Sequence, residues 1–497
     1  MNSLWQDVPY KSYPSLQGEV KADVCVVGSG ICGITTAYYL CKHGLKVVVL
    51  EKDKICNSVT ANTTGKVTSQ HGLFYHYLIS NFDKDFAKKY LDSNQQAISS
   101  IYDTISKENI DCDFEWQDSF VYTNSEEKLQ EINLEVACVN SLGFDAKFCA
   151  KTDLPFKVKG AICFPKQAQF HAKKYCVGLA GTLPDGSIYE NSRVVDIESQ
   201  SNFYATKTDE GVVFSDFVVL ACHYPIVNFP GFHFLKMYQD TSYLIGVDTK
   251  KDLFSGMYIS ADEPVFSFRT ALDSSGKRLL LVGGASHKTG DNSVSLDNRF
   301  KTLEDMAHGL YAKSEVLYRW HTEDCITLDK VPYIGSFSNL MPNVFVATGF
   351  KKWGMTSSQV AANIISDKIL DIENPYADIY TATRFQPISN AKETGNMLKQ
   401  TAYSLFLNKI TPATESYENL KIGTGGVVDY NGKKLGIYRK SKDEIFAVSP
   451  YCAHLGCELS WNNLDKTWDC PCHGSRYDYT GKLLMEPSKK DLERIDL

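Results

Sequence analysis

The chain has no excess of basic residues, no long apolar run and no low-complexity tract. Lys and Arg number 52 against 59 Asp and Glu, a net charge of -7, and no basic cluster breaks that balance. A nucleic-acid partner is therefore not expected, because phosphate binding is carried by clustered positive charge. No apolar stretch approaches the about 20 residues needed to cross a bilayer, and residues 1–17 lack the basic start and apolar core of a secretory leader. Fifteen cysteines among 497 residues are few for a disulfide scaffold, and Cys25, Cys41, Cys138 and Cys222 sit inside apolar runs as reduced core residues do. These absences predict a cytoplasmic protein that is not integral to a membrane. At 43% hydrophobic, the chain can bury two or three cores.

What is present is concentrated in two places. Near the end, Cys452-Ala-His454 is followed after fifteen intervening residues by Cys470-Pro-Cys472-His473. A Rieske [2Fe-2S] centre needs such a set, because two thiolates hold one iron and two imidazoles hold the other. Neutral imidazoles remove negative charge from the cluster and raise its potential. A Cys2His2 zinc site would use the same four side chains.

The second place opens the chain. Ala22–Val27 is an apolar strand, Gly28-Ser-Gly30-Ile-Cys-Gly33 follows at once, and Ile34–His43 carries Ala37, Leu40 and Cys41 on one helical face. A further strand, Lys46–Leu50, ends in Glu51. This order is the dinucleotide fingerprint: glycines for the tight turn and close approach, a helix N-terminus for the pyrophosphate, an acid for the ribose hydroxyls. The fingerprint alone leaves FAD and NAD both open.

The flanking residues Leu455-Gly-Cys457 and Gly474-Ser475-Arg-Tyr477-Asp478 make about the last eighty-five residues resemble the Rieske domains of the cytochrome bc type. That resemblance implies Cys452, His454, Cys470 and His473 as cluster ligands, a disulfide joining Cys457 to Cys472, and cluster-tuning hydroxyls on Ser475 and Tyr477. Farther upstream, Asn343-Val-Phe-Val-Ala-Thr-Gly349-Phe350 is an apolar strand before Trp353-Gly354-Met355-Thr356 and a helix from Ser357 to Leu370. Together with Thr63-Thr64-Gly65-Lys66-Val-Thr68, Leu220-Ala-Cys-His223 and Thr327-Leu-Asp329-Lys-Val-Pro332, it resembles the D-amino-acid-oxidase-like, or glycine-oxidase-like, FAD-dependent oxidoreductases over about residues 1–372. The resemblance implies FAD held by Gly28, Gly30, Gly33, Glu51, Thr64, Gly65, Lys66, Val194, Gly349, Gly354, Met355 and Thr356. The combination of the two modules is a known bacterial family, of which the whole chain looks like a member. Two departures stand out. Lys351-Lys352 replaces the Gly-Gly of many relatives, with one lysine expected in solvent. No cysteine stands near Thr322, where some sarcosine-oxidising relatives attach their flavin, so a dissociable FAD is expected.

The expected architecture is an α/β FAD-binding domain, Rossmann-like and of the glutathione-reductase type, with an α+β substrate lobe and a C-terminal all-β Rieske domain. The flavin lobe takes about residues 1–78, 163–227 and 331–372, and the substrate lobe 79–162 and 228–330, within an oxidoreductase domain of 1–375. A connector over 376–412, with a helix over 391–408, leads to the Rieske domain at 413–497. Leu235–Val247, Pro264–Arg269 and Leu279–Val282 are predicted to form an antiparallel sheet over the flavin.

Two cofactors on one chain suggest two-electron chemistry at the flavin and one-electron export through the cluster. The resemblance implies a small amine or amino acid oxidised at a C–H bond beside nitrogen, with a one-electron carrier protein or quinone-like acceptor. Candidate catalytic residues are Arg269, whose planar fork suits a carboxylate, Tyr243 and His71, with Tyr238 also in reach. The alternative is an electron-transfer or redox-sensing protein without a substrate of its own. Ring-hydroxylating oxygenase chemistry is not expected, since no 2-His-1-carboxylate iron site is apparent.

Overall fold

The computed structural model describes residues 3–291, 295–384 and 415–497; the helix expected over 391–408 lies outside the described residues. The strands are labelled β1 (Gly18–Val27), β2 (Val47–Leu50), β3 (Glu115–Thr123), β4 (Gly160–Gln169), β5 (Gly211–Leu220), β6 (Met237–Asp248), β7 (Met257–Ser260), β8 (Phe266–Leu272), β9 (Arg278–Lys288), β10 (Glu315–Thr327), β11 (Tyr333–Ser338) and β12 (Met341–Thr348). The helices used below are α1 (Ile31–Lys42), α2 (Lys84–Glu108) and α3 (Gly354–Ile369).

The first sheet has the core order β11-β12-β5-β1-β2, with β12, β5, β1 and β2 running parallel. Parallel strands are covered on both faces, which is why Val24–Val27 and Val47–Leu50 are continuous apolar runs and are buried throughout. Each such side chain contributes about 1.5–3 kcal/mol on burial. Helix α1 packs directly against α3 in one shared core beside this sheet. Its first turn carries no acid, so its positive end is unopposed where the glycine turn delivers it.

The second sheet runs β10-β6-β9-β8-β7-β3-β4. It contains the three segments expected to form an antiparallel sheet, and the first of them becomes a single strand of twelve residues, β6. β4 joins this sheet through β3, so residue 163 lies within one of its strands. Helix α2 begins at Asp83, whose side chain accepts from Phe86 N, and ends at Asn109 in the left-handed conformation.

Residues 415–497 fold as two four-stranded sheets. Thr424–Tyr430 and Lys433–Arg439 form a hairpin across Asn431 and Gly432, which both take positive φ, 52° and 78°. Such a two-residue turn matches the twist of the flanking strands. Trp468 and Tyr477 are fully buried at the centre of the second sheet. Its loops Cys452–Leu459 and Cys470–Ser475 face the first 384 residues, and several contacts described below tie the two parts together.

Candidate flavin cavity and cluster site

A cavity of about 700 Å³ opens between the two large sheets. Gly28, Gly30, Glu51, Thr64, Lys66, Val194, Gly349, Gly354 and Met355 all line it, whereas Gly33, Gly65 and Thr356 stand behind its wall. Gly28 has φ +103°, and a Cβ there would lie 2.7 Å from the Ala221 carbonyl oxygen. At Gly33 a Cβ would lie 1.9 Å from the Gly28 carbonyl oxygen, so the glycines set both the turn and the helix-to-strand approach. Glu51 accepts from Ser29 N at 3.0 Å and Ser29 Oγ at 2.7 Å, and burial raises its carboxyl above the ordinary range. A glycine turn, an unopposed helix end and an oriented acid on one cavity wall fit a dinucleotide.

The sequence candidates for catalysis separate on inspection. Arg269 does not line the cavity. Its Nη1 donates to the carbonyls of Thr64, Gly65 and Phe170 and its Nε to that of Thr270, so the guanidinium organises the Thr64–Gly65 loop from behind. The fork proposed for a substrate carboxylate is thus spent on main chain. His71 lines the cavity, but Nδ1 meets Tyr90 Oη at 2.6 Å, Nε2 meets Thr68 O at 2.9 Å, and the ring stacks on Trp353. Burial lowers its pKa to about 3, so the imidazole is neutral. Tyr243 lines the cavity and its hydroxyl meets His287 Nε2 at 2.9 Å. Lys66 Nζ donates to Tyr258 O and Ser267 Oγ, and burial, then Arg269, holds its pKa well below that of a free lysine.

Both lysines of the 351–352 pair line the cavity, which corrects the expectation that one simply faces solvent. Lys351 Nζ lies 4.9 Å from the Phe74 ring centroid. Lys352 is partly exposed, yet its Nζ sits 2.8 Å from Asp240 Oδ2 and 2.7 Å from Ser286 Oγ. Cys325 is buried and is not part of the cavity wall, although its neighbours Asp324 and Ile326 are.

At the second site the four expected ligands converge. The rings of His454 and His473 are 5.1 Å apart, and the thiols of Cys452 and Cys470 are hydrogen-bonded neighbours. Both Nδ1 atoms are buried and have no hydrogen-bond partner. Buried polar atoms without partners are uncommon, and two such imidazole nitrogens on the loops that carry the neighbouring thiols suit a ligand set. Burial lowers His454 to about 4 and His473 to about 3, so both are neutral, as ligand imidazoles must be. Cys457 and Cys472 are joined as a disulfide. Tyr477 Oη lies 3.2 Å from Cys452 Sγ, and Ser475 Oγ accepts from Ser488 N at 3.0 Å. The residues present fit a [2Fe-2S] cluster of the Rieske type.

The outer edges of both histidines meet the flavin-binding part. His454 Nε2 is 2.8 Å from Asn228 Oδ1, the Phe234 main chain hydrogen-bonds His473, and the Phe234 ring stands edge-on to both imidazoles. Strand β10 carries the rest of the junction. Thr322, Asp324 and Ile326 face the cavity, while His321 and Glu323 face the cluster-bearing part. Glu323 Oε1 meets Arg476 Nη1 at 2.6 Å, His321 Nε2 meets Asp465 Oδ2 at 2.9 Å, and Arg476 Nε meets Asp469 at 3.0 Å. Burial opposes all these charges, but Glu323 and Asp465 outweigh it and hold His321 at about 9; His321 and Arg476 hold Glu323 at about 2. Near the cavity, Lys52 meets Glu486 at 2.9 Å, and Met485 and Glu486 complete the wall.

Sequence reasoning missed Asn228, Asp240, Thr322 and Asp324. The run His321-Thr322-Glu323-Asp324 holds a trace of the strand's double use, since four successive polar residues mean that both strand faces are engaged; nothing comparable marks Asn228 or Asp240.

Comparison with known proteins agrees with this geometry. Residues 23–368 match the FAD dependent oxidoreductase (DAO) family, and residues 413–496 match the Rieske [2Fe-2S] domain. The putative Rieske 2Fe-2S iron-sulfur protein YhfW of Bacillus subtilis (strain 168) is 36% identical, covering 99% of this chain and 96% of that protein. Gamma-glutamylputrescine oxidoreductase of Escherichia coli (strain K12) is 23% identical over 72% of this chain and 86% of its own. The crystal structure of glycine oxidase from Geobacillus kaustophilus superposes with a TM-score of 0.63 at 19% identity, over 74% of this chain and 99% of that one, and shares the fold. The chain therefore belongs to the FAD dependent oxidoreductase family, as a member that also carries a Rieske [2Fe-2S] domain.

Proposed function

We propose that the protein oxidises a small amine or amino-acid-like substrate at the C–H bond beside nitrogen and exports the electrons singly to an external acceptor. When bound, FAD supplies two-electron acceptance with one-electron release, and the cluster supplies one-electron storage. The substrate loses a hydride and a proton to become an imine, and two one-electron acceptors are reduced per turnover. The observation that carries this reading is the seating of the cluster loops on the flavin-binding part. Asn228 and Phe234 cap both ligand histidines, and β10 is shared between the cavity and the cluster-bearing part. These contacts hold the two sites side by side, which favours electron exchange between them. Neutral His71, stacked on Trp353 and bonded to Tyr90 and Thr68, acts as a rigid part of the wall rather than as a base. Hydride loss requires position and an unprotonated amine more than a strong base.

The test is rapid anaerobic mixing with amines and amino acids while the flavin absorbance is followed, in wild type and in Cys470→Ser. The expected result is equal bleaching in both and slow reoxidation of the variant by a large one-electron acceptor protein. Reoxidation as fast as wild type would remove the cluster as the outlet. No bleaching with any substrate would return the protein to the redox-sensing alternative.

A further inference from the structure

The cavity wall holds two carboxylates directly opposite each other. Asp240 of β6 and Asp324 of β10 are cross-strand partners, and both line the cavity. Like charges opposite one another work against a sheet, so folding alone does not call for this pair. One lysine serves the two: Lys352 is hydrogen-bonded to Asp240 and to Ser286. Asp324 is only 9% exposed, and its surroundings supply charges but no hydrogen bond among the described residues. Two rungs along, on the same face, Thr322 faces Ser242; the Thr322 Oγ1 is buried, its residue lines the same cavity, and it has no hydrogen-bond partner among the described residues. A buried carboxyl and a buried hydroxyl left unpaired on one wall each carry a desolvation cost that a donor from a ligand would relieve.

The sign of that ligand follows from the cations. Arg269 is bonded to main-chain carbonyls behind the wall, Lys66 is bonded to Tyr258 and Ser267, and Lys352 is occupied by Asp240. Among the described residues the cation that acts on Asp324 is Lys352, which Asp240 and Ser286 already hold, so the wall there offers an acceptor rather than a partner for a carboxylate. We propose that Asp324 and Thr322 form a subsite for a substrate ammonium group. The proposal rests on the reading of the cavity as an amine-oxidising site and narrows it. The reacting nitrogen must be unprotonated before its neighbouring C–H bond breaks, so the ammonium at Asp324 is a second one, and the substrate class is a diamine. Burial, with Asp240 and Glu323 nearby, keeps the Asp324 carboxyl up at about 8 even against the pull of Lys352. An arriving ammonium supplies the countercharge and favours the carboxylate.

The subsite is tested apart from turnover with probes that are not oxidised. Full-length, FAD-loaded protein is titrated with methylguanidinium chloride, below denaturing concentration, and with sodium acetate, following the flavin absorbance. Methylguanidinium is expected to perturb the spectrum and acetate not. Asp324→Asn should weaken the cation about tenfold or more, and Thr322→Val about two- to tenfold, from the strengths of charged and neutral hydrogen bonds. FAD content and the cluster spectrum should be unchanged. Should Asp324→Asn fail to fold, Thr322→Val carries the test. Equal binding of acetate, no response to either probe, or variants that bind the cation like wild type would overturn the proposal. A second arm compares anaerobic bleaching by putrescine, butylamine and 4-aminobutyrate. Cation binding that depends on Asp324, with no bleaching by any amine, would mean that the oxidase reading has failed and the subsite stands. Butylamine or 4-aminobutyrate bleaching as efficiently as putrescine would overturn the diamine class and leave the oxidation reading intact.

Discussion

The cluster site and the flavin cavity are built in opposite ways. All four expected cluster ligands come from two short loops between Cys452 and His473, locked by one disulfide. The cavity is walled by segments from Val27 to Glu486, and the last of these belongs to the cluster-bearing part. A site made of adjacent residues is legible as a motif, whereas a site made of adjacent strands exists only after the sheet has formed. The cavity therefore depends on the cluster-bearing part for its wall, and the cluster depends on the cavity's sheet for its seat.

The sharpest way to test that asymmetry is to empty one site. His473→Ala should abolish the cluster, read as loss of iron, labile sulfide and the cluster's paramagnetic signal, while FAD stays bound because His473 is not part of the cavity wall. Loss of FAD as well would mean that the two sites share one folding unit.

The next largest effect is expected at the junction. Arg476→Ala takes the guanidinium from Glu323, Asp465 and Asp469 and leaves His321, among the described residues, as the one cation beside the first two, and breaking such a buried pair costs about 3–5 kcal/mol. Thermal unfolding should split into two transitions, with the earlier one reporting residues 415–497. A single unchanged transition would show that the junction is held elsewhere.

A smaller loss is expected at the fingerprint. Glu51→Ala should weaken FAD retention by about 1.5–3 kcal/mol, the strength of a charge-assisted hydrogen bond. Dialysis followed by flavin fluorescence measures it, and retained FAD would remove Glu51 from the ribose contact.

Mildest is the pH dependence of docking. His321 is held at about 9, above its ordinary value of about 6.5, so its stabilisation is complete below the ordinary value and fades as pH rises through 9. Glu323 is held at about 2, so its share is complete above about 4.3 and fades as pH falls toward 2. Limited proteolysis across pH should find the junction tightest between these limits. His321→Gln should remove the alkaline limb and weaken the acid one, which Arg476 still supports.

Much of this was legible in the residues. The glycine turn, Glu51 and the paired Cys/His motifs are local, so spacing carries them. Arg269 was misjudged because a guanidinium suits a carboxylate and a set of carbonyls equally well, and only the fold decides which it meets. Asp240 and Asp324 were invisible because 84 positions separate them in the chain, and register alone makes them neighbours. The Thr64–Lys66 segment was recognisable by resemblance, yet nothing in its composition showed that Gly65 would sit behind the wall while Lys66 faced into it.

Strand β10 has a consequence for how such a protein can change over generations. Successive residues from His321 to Asp324 alternate between two clients, so no substitution there is private to one of them. A change that retunes the cavity at Thr322 or Asp324 shifts the backbone that presents His321 and Glu323, and the reverse holds equally. The two modules are recognisable as separate families, but in this chain they have become co-tenants of one strand. A Rieske domain borrowed from elsewhere would fit here only if it brought its own version of Asp465 and Arg476. Natural variation is expected to move these positions together or not at all.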